Sequence, residues 1–456
     1  MLWVALGACL GPVSRAADTN NSLVWLADHN QVSADIHNES LWPLLEDIAH
    51  QTGWHIFVEP TARHTASVKF ANLPAGAALH KLLGSLNYAL VPQTNGPQEL
   101  YVFTTTIHNA TRRVAGATAR PPARHVANQL MVKVKPGTDI DALAKARGAK
   151  VVARNDKLGI YLLEFSDASA TDAALASLKA DPSVASVDYN YLFDAPVAAQ
   201  PLANAPASAA LPSLSLDSNA QSDSCTPVIG LIDTGIQSLG NQLDQFIQTN
   251  INVSGSDPNL SSTTPTHGTA MAQAMLSALS QNSSNKKSGV KIVAVDVYGN
   301  NETATSYNVA LGVQAAVDNG ATVLNMSLAG STDGQVLDDI IQQALAQGVV
   351  VFAAAGNQPV DTPFYPAAIP GVMSVTALGA PGQLASYADY ASSVDMALPG
   401  SSYAFLGDQT YIVNGTSPAT AYASGVAAGA KAQNCASWSS IETGMEQKFP
   451  VPATGN

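Results

Sequence analysis

Between residues 31 and 106 the hydrophobic positions follow one pattern twice, at an offset of 34 residues. Ile36 corresponds to Phe70 and Trp54 to Tyr88, and each copy predicts a strand, a turn, an amphipathic helix and a second strand. The two helical faces are Leu41, Leu44, Leu45 and Ile48 in the first copy, and Ala78, Leu79, Leu82, Leu83 and Leu86 in the second. Two copies are too few for a solenoid. The pattern therefore predicts one small α+β domain.

Residues 126–194 alternate strand-like and helix-like patterns in the order β-α-β-β-α-β, which predicts a second small α+β domain, a ferredoxin-like sandwich. Segments of small and polar residues flank it on both sides. We expect residues 107–125 to be a linker, and residues 195–224, rich in Ala, Pro and Ser, to be a flexible tether that proteases can reach.

Residues 225–456 contain strands that are apolar throughout, alternating with helix-like segments. These strands are Val228 to Ile232, Lys291 to Val297, Thr322 to Met326 and Val349 to Ala353. Strands of this kind are typical of an α/β domain with a mostly parallel sheet covered by helices on both faces. Ligand sites in such sheets lie at the carboxyl ends of the strands.

Composition and charge exclude some functions. Hydrophobic residues make up 46% of the chain and charged residues 12%, and the net charge is −13. Without a run of Lys and Arg, the chain offers no stripe that could neutralise phosphates, which argues against binding of nucleic acid.

The first sixteen residues are an apolar run that ends in small residues. They predict a signal peptide cleaved after Ala16, and hence export. The run is too short to span a bilayer, and we expect no transmembrane segment. A lipoprotein signal ending at Cys9 is the alternative. If Cys9 leaves with the signal, Cys225 and Cys435 remain, and we expect them to form a disulfide bond, with two free buried thiols as the other interpretation.

Three motifs place polar residues at strand ends or helix starts. "GLIDTGI" contains Asp233, "THGTAMAQAM" contains His267, and "NGTSPATAYASG" contains Ser417. Each alone is compatible with a structural role, such as a helix cap or a core histidine. Together they supply the carboxylate, imidazole and hydroxyl that acyl transfer needs.

The order Asp, His, Ser is that of subtilisin, and residues 228–436 resemble the catalytic domain of the subtilisin-like serine peptidases. "VLNMSLAG" and "AAAGN" are similar to the family's substrate-pairing strand and oxyanion segment. The resemblance implies that Ser417 is the nucleophile, His267 the general base and Asp233 its orienting partner, with Asn357 as oxyanion donor. It also implies a set of substrate-binding residues, namely Ser327, Leu328, Ala329, Gly330, Ala355, Gly356 and Phe364.

The sequence departs from the family's usual pattern at Ala270, Pro418 and Phe364. Phe364 falls where relatives often keep a small residue at the pocket floor, so we expect the pocket to favour Ala and other small residues, with self-cleavage in the tether. The family's usual preference for large apolar residues is the alternative, and would put the cut near Leu192 or Phe193.

The two preceding domains resemble other known domains. Residues 126–194 are similar to a subtilisin-type propeptide, which implies that "DYNYLFDAP" leads into the active-site groove; a second adaptor domain is the alternative. Residues 31–106 resemble the short N-terminal domain of secretins and TonB-dependent receptors, which implies an envelope protein partner in a diderm bacterium. Many relatives bind calcium, but no matching cluster of Asp residues is found, and we assign no cofactor or metal site.

The sequence thus predicts a secreted or periplasmic serine endopeptidase, made as a self-processed zymogen, that cleaves peptides or proteins. The alternative is a catalytically weak or inactive envelope binding module that uses the peptidase fold as a scaffold.

Overall fold

The structure, a computed structural model, describes most of the chain. The described residues are 22–26, 31–59, 62, 64–91, 98–107, 110, 112–114, 124–206, 209–217, 225–239, 241–283, 285–360, 362–379, 382–391 and 393–452. The predicted signal peptide and Cys9 lie outside them. The chain divides into two compact units, residues 1–118 with the last two residues, and residues 119–454.

The first unit contains two helices and two small sheets. Its elements are β1 (Ser22–Leu26), β2 (Gln31–Ser40), α1 (Leu41–Thr52), β3 (His55–Val58), β4 (Thr65–Leu73), α2 (Ala75–Leu83), β5 (Asn87–Val91), β6 (Glu99–Phe103) and β7 (Arg112–Val114). The strand orders are β1-β2-β4 and β5-β6-β3-β7. Leu44 and Ile48 of α1 and Leu79 and Leu82 of α2 are fully buried, because the apolar faces of both helices cover the sheets.

The predicted linker at residues 107–125 is wrong in part. Strand β7 lies within it and pairs with β3, Val114 opposite Ile56, so the first unit ends later than residue 106. A strand of three residues is too short to produce a recognisable alternation of polar and apolar positions.

The second unit begins with a four-stranded antiparallel sheet. Its elements are β8 (His125–Val134), α3 (Ile140–Ala146), β9 (Lys150–Asn155), β10 (Ile160–Glu164), α4 (Ala168–Lys179) and β11 (Val184–Asp194). The strand order is β11-β8-β10-β9, and Thr303–Thr305 of the following domain adds a fifth strand beside β11. Successive side chains of β8 point to opposite faces: Leu130 and Val132 pack with α3 and α4, whereas Met131 packs with residues of the following domain.

The remaining strands and helices form that following domain. They are β12 (Gln200–Pro201), β13 (Ser215–Leu216), β14 (Val228–Asp233), β15 (Ile247–Asn252), α5 (His267–Asn282), β16 (Lys287–Ser288), β17 (Lys291–Asp296), β18 (Thr303–Thr305), α6 (Ser306–Asp318), β19 (Val323–Met326), α7 (Gln335–Ala346), β20 (Val350–Ala354), β21 (Met373–Leu378), β22 (Met396–Pro399), β23 (Ser401–Leu406), β24 (Gln409–Asn414), α8 (Thr416–Asn434) and α9 (Trp438–Lys448). A short 3₁₀ helix spans Asn241–Phe246.

Seven parallel strands form the central sheet, in the order β15-β17-β14-β19-β20-β21-β22. Residues of α5 and α8 form one hydrophobic core with one face of this sheet, and residues of α6 and α7 form another with the opposite face. Both faces are therefore covered, which is why the central strands are apolar throughout. The predicted α/β fold of this domain is confirmed.

The predicted flexible tether at residues 195–224 is also wrong in part. Within its described residues, β12 pairs with β24, β13 pairs with β16, and the side chains of Ala199 and Leu214 are buried. Small residues and proline adopt extended conformations readily, and here strands β24 and β16 supply the backbone hydrogen bonds. Composition alone does not report such pairing. Across the described residues, no helix is both long and apolar enough to cross a membrane.

Candidate active site

Asp233 and His267 form a buried hydrogen-bonded pair. Asp233 ends β14 at the carboxyl edge of the sheet, and His267 is the first residue of α5. The Nδ1 atom of His267 lies 2.9 Å from both carboxylate oxygens of Asp233. Gly268 donates its N–H to the hydroxyl of Thr234 at 2.8 Å, and a Cβ on Gly268 would lie 2.2 Å from the Thr234 carbonyl oxygen. The glycine after His267 therefore allows α5 to start directly against Thr234.

Ser417 lies in the first turn of α8, and its side chain is buried beside the substrate-pairing strand. Its hydroxyl donates to the carbonyl oxygen of Ser327 at 3.2 Å. In the described part of the chain no hydrogen bond joins Ser417 to His267. Of the two hydrogen bonds that would link Asp233, His267 and Ser417, the structure therefore shows the one between Asp233 and His267. Catalytic hydrogen bonds are often long or missing before substrate binds.

Asn357 follows β20 and faces the start of α8. Its side-chain Oδ1 accepts hydrogen bonds from the backbone N–H of Thr416 at 2.8 Å and from the Thr416 hydroxyl at 3.1 Å. Because Oδ1 accepts both hydrogen bonds from Thr416, these two donors hold the side-chain amide of Asn357 in one orientation, with its NH₂ group pointing away from Thr416. The arrangement brings an amide donor and the free N–H groups of a helix N-terminus to one location, which suits an oxyanion.

The residues predicted to bind substrate form two adjoining walls. Gly330 and Tyr365 exchange backbone hydrogen bonds of 2.8 and 2.9 Å, which join the walls at one end. The other predicted wall residues are buried or half-buried: Ser327, Leu328, Ala329, Ala355 and Gly356. Phe364 is buried, and its Cδ2 lies 3.2 Å from the position that a Cβ on Gly356 would occupy. The phenyl ring therefore lies against the segment that contains Gly356 and Asn357.

Sequence reasoning missed the polar residues that support the site. Asn325, fully buried in β19, accepts a hydrogen bond from the Ser327 hydroxyl at 2.9 Å and donates to Ser424 in α8 at 3.1 Å. Thr266 caps α5 by accepting the N–H of Thr269 at 3.2 Å. The signal for Thr266 was present, since Thr before a helix start predicts a cap; nothing in the sequence indicated that Asn325 would face α8.

The chain that follows β11 runs across the site. Strand β11 pairs with β18, Leu192 opposite Thr305, and β12 pairs with β24, Gln200 opposite Ile412. Between these two ladders Val197, Ala198 and Gln200 line a cavity of about 220 Å³ together with Asn357 and Asn414. The segment that links β11 to β12 therefore lies beside Asn357.

Cys225 and Cys435 form a pair whose Cα atoms lie 5.0 Å apart, although 210 residues separate them in the sequence. No group of three or more His, Cys, Asp or Glu side chains that could hold a metal ion occurs in the described ranges.

The chain is similar to known protein families and to curated relatives. Residues 225–447 match the subtilase family, and residues 111–190 match the fervidolysin N-terminal prodomain. The chain is 34% identical over 226 residues to thermitase from Thermoactinomyces vulgaris, covering 48% of this chain and 79% of thermitase. It is 32% identical over 242 residues to alkaline elastase YaB from Bacillus sp. (strain YaB), covering 50% of this chain and 60% of that protein.

Among solved structures, fervidolysin from Fervidobacterium pennivorans, described as a keratinolytic enzyme related to subtilisin, has a TM-score of 0.55 at 18% identity. The match covers 71% of this chain and 57% of that one, and at this identity it shows a shared fold. The chain spans 60% of the length of alkaline elastase YaB and 44% of the M-protease of Shouchella clausii (strain KSM-K16), which is 32% identical over 168 residues and matches 36% of this chain.

Proposed function

The chain belongs to the subtilase family, and on that premise we propose that it is a serine endopeptidase that cleaves peptide or protein substrates and is made as a zymogen. The observation that carries the proposal is the contact between His267 and Asp233, with Nδ1 2.9 Å from both carboxylate oxygens. A carboxylate at Nδ1 holds the imidazole in the tautomer whose Nε2 accepts a proton, and it stabilises the imidazolium that results.

In the proposed reaction the hydroxyl of Ser417 leaves the carbonyl of Ser327 and donates its proton to Nε2 of His267. The serine oxygen then attacks the scissile carbonyl, and the imidazolium returns the proton to the leaving amine as the acyl-enzyme forms. Water repeats these steps to release the acid. The amide of Asn357 and the backbone N–H of Ser417 stabilise the oxyanion, whose charge develops only in the transition state.

The tail between residues 192 and 202 supports the zymogen part of the proposal. It is extended and bound by backbone pairing on both sides of the site, which is how a peptide adds a strand to a sheet edge. Phe193 anchors it: its side chain is buried, and its ring lies 2.8 Å from where a Cβ on Gly330 would be. We propose that this tail occupies the groove as an inhibitor until the chain is cut within it.

The pairing register narrows the position of the cut. The first ladder continues to Ala195, whose N–H donates to the Glu302 carbonyl at 2.8 Å, and the second ladder begins at Gln200, opposite Ile412. Residues 196–199 lie between the two ladders. We propose that the first cut falls at this gap, inside the segment of small residues.

We also propose that the protein is exported. An apolar N-terminal run and a bridged pair, Cys225 with Cys435, are typical of secreted or periplasmic proteins. For residues 31–106 we propose an envelope protein as partner. The finer assignment of that domain to the secretin and TonB type rests on its hydrophobic pattern.

A fluorophosphonate probe tests the proposal. We expect the self-processed protein to be labelled, and the Ser417→Ala and His267→Ala variants to remain unlabelled, uncut and inactive, with rates lowered by about 10⁶-fold. Mass spectrometry of the mature N-terminus would report the cut. A folded, processed protein that is not labelled would favour the alternative, a binding module on an inactive peptidase scaffold.

A further inference from the structure

Asp389 is a buried carboxylic acid that the reaction proposed above does not use. Its side chain is fully buried, and its Oδ2 atom has no hydrogen-bond partner among the residues that the structure describes. Burial raises the pKa of Asp389 to about 8, and the backbone N–H groups of Val360 and Gln358 oppose that rise. A buried carboxyl group with one unpaired oxygen destabilises a fold. The contacts of Asp389 indicate what this residue does at that cost.

The contacts of Asp389 hold both ends of the loop that carries Asn357. On one side, the N–H of Asp389 donates to the carbonyl oxygen of Gly356 at 3.2 Å. On the other side, the N–H of Val360 donates to Oδ1 of Asp389 at 3.0 Å. Asn357 lies between these two attachments. Asp389 itself is held from the sheet, because the Thr376 hydroxyl in β21 donates to its carbonyl oxygen at 2.5 Å.

The loop also contains a position, Gly356, at which Asp389 leaves no room for a side chain. Gly356 has a φ of +118°, and a Cβ at this position would lie 2.0 Å from Oδ2 of Asp389. The carboxyl group therefore packs directly against the backbone of the residue before Asn357. A side chain on Gly356 would have to push either the carboxyl group or the loop away.

We infer that Asp389 is a positioning residue for the oxyanion donor, and this inference rests on the proposed serine endopeptidase function. The side-chain amide of Asn357 is oriented from one direction by Thr416, and its backbone is held from the other direction by Asp389. An oxyanion donor is effective only when it is preorganised close to the productive geometry, within about 0.5 Å.

A purely structural role would have different consequences, and Asp395 provides the matched comparison. The N–H of Asp395 donates to the Ser374 carbonyl at 3.0 Å, and its Oδ2 accepts the Ser374 N–H at 2.7 Å. Asp395 is thus another aspartate that joins two backbone segments through both its N–H and its carboxylate, although the residue itself is exposed. Its partner Ser374 lies at the start of β21, outside the loop of Asn357.

The experiment compares Asp389→Ala, Asp389→Asn, Asp395→Ala and Asn357→Ala in the full chain. Self-cleavage of the tail gives a first rate, and hydrolysis of a peptide amide by the processed protein gives kcat and KM; thermal unfolding is followed in parallel. We expect Asp389→Ala to lower kcat by about 10- to 100-fold with KM changed less than about threefold, since oxyanion donors act in the transition state. Asp389→Asn keeps the acceptor oxygen and should retain most of kcat.

Combining Asp389→Ala with Asn357→Ala gives the decisive measurement. If Asp389 acts through Asn357, the double variant should be no slower than Asn357→Ala alone, because the two effects are not additive. Additive losses, or equal kcat values for Asp389→Ala and Asp395→Ala, would overturn the inference. If the wild-type protein neither turns over substrate nor reacts with a fluorophosphonate, the proposed function itself fails, which is a separate result.

Discussion

The backbone N–H of Val336 donates to the carboxylate of Asp188 at 2.9 Å, so a prodomain strand caps the first turn of α7. Negative charge at a helix N-terminus is favourable. However, α7 brings carboxylates of its own to the same interface. Burial and a hydrogen bond with Asp333 raise the pKa of Asp338 to about 8, and burial raises the pKa of Asp188. Because separation would hydrate these carboxyl groups, we expect this interface to release protons when the prodomain leaves.

We predict that the cut prodomain dissociates more readily as pH rises. We expect both carboxyl pKa values to be higher in the complex than in the separated parts, so the stabilisation should be fully present at low pH and be lost as pH rises through about 8. Cations face the cluster too: Lys133 lies 3.5 Å from Asp339, and Lys179 lowers the pKa of Asp188. Uptake of one proton changes the affinity by about tenfold per pH unit, so a carboxyl group with a pKa of about 8 in the complex corresponds to a loss of about 100-fold between pH 6 and 9.

The measurement is recovery of peptidase activity, with gel filtration of the self-processed protein, from pH 6 to pH 9. Asp188→Asn keeps an acceptor for the Val336 N–H and should flatten the pH dependence. Asp172→Asn, an exposed change in the same prodomain, is the control. Dissociation that is independent of pH, or fastest at pH 6, would contradict the prediction.

We predict that Phe193→Ala releases the inhibitory tail. The ring is buried against Gly330, and truncating a buried phenylalanine costs about 3–5 kcal/mol. The variant should gain activity towards added peptides sooner after cleavage than wild type. Leu192→Ala, in the same ladder but only half-buried, should change the lag much less. Equal lags for the two variants would show that Phe193 is no anchor.

We predict that Phe364→Gly changes the specificity of the pocket. In the wild type, the buried ring fills volume beside Gly356, and forcing a large side chain into it would cost about 1–3 kcal/mol. Wild type should therefore prefer Ala to Phe on the acyl side of the cut bond, and Phe364→Gly should reverse the order. The assay compares kcat/KM for peptides that differ only at that position, with Phe364→Leu as an intermediate. A wild-type preference for Phe would disprove the shallow pocket.

We predict that Cys225 and Cys435 are bonded in the mature protein. A bridge across 210 residues restricts the unfolded chain by about 5 kcal/mol in the chain-entropy treatment. Denatured protein without reductant should show no reactive thiol from this pair, and Cys225→Ser with Cys435→Ser should unfold at a lower temperature. Two free thiols in the unreduced sample would refute the bridge.

The sequence by itself determined the α/β fold of the catalytic domain and its candidate catalytic residues. The strand that ends at Asp233 is apolar throughout, as a strand buried on both faces must be. The motifs around His267 and Ser417 can be recognised because acyl transfer needs an imidazole and a hydroxyl group, which here lie at helix starts. Local patterns of this kind survive in the sequence because each involves only a few neighbouring residues.

Only the tertiary structure decided how the segments outside those motifs are used. The residues around Val197 look like a loose tether because small residues carry no periodic signal, yet edge strands far along the chain pair with them. Asp389 gives no local sign of its role either, since its contacts with Gly356 and Val360 join residues about 30 positions apart. Such long-range hydrogen bonds depend on where the fold brings two segments together. The distance in space between two segments cannot be read from a single sequence.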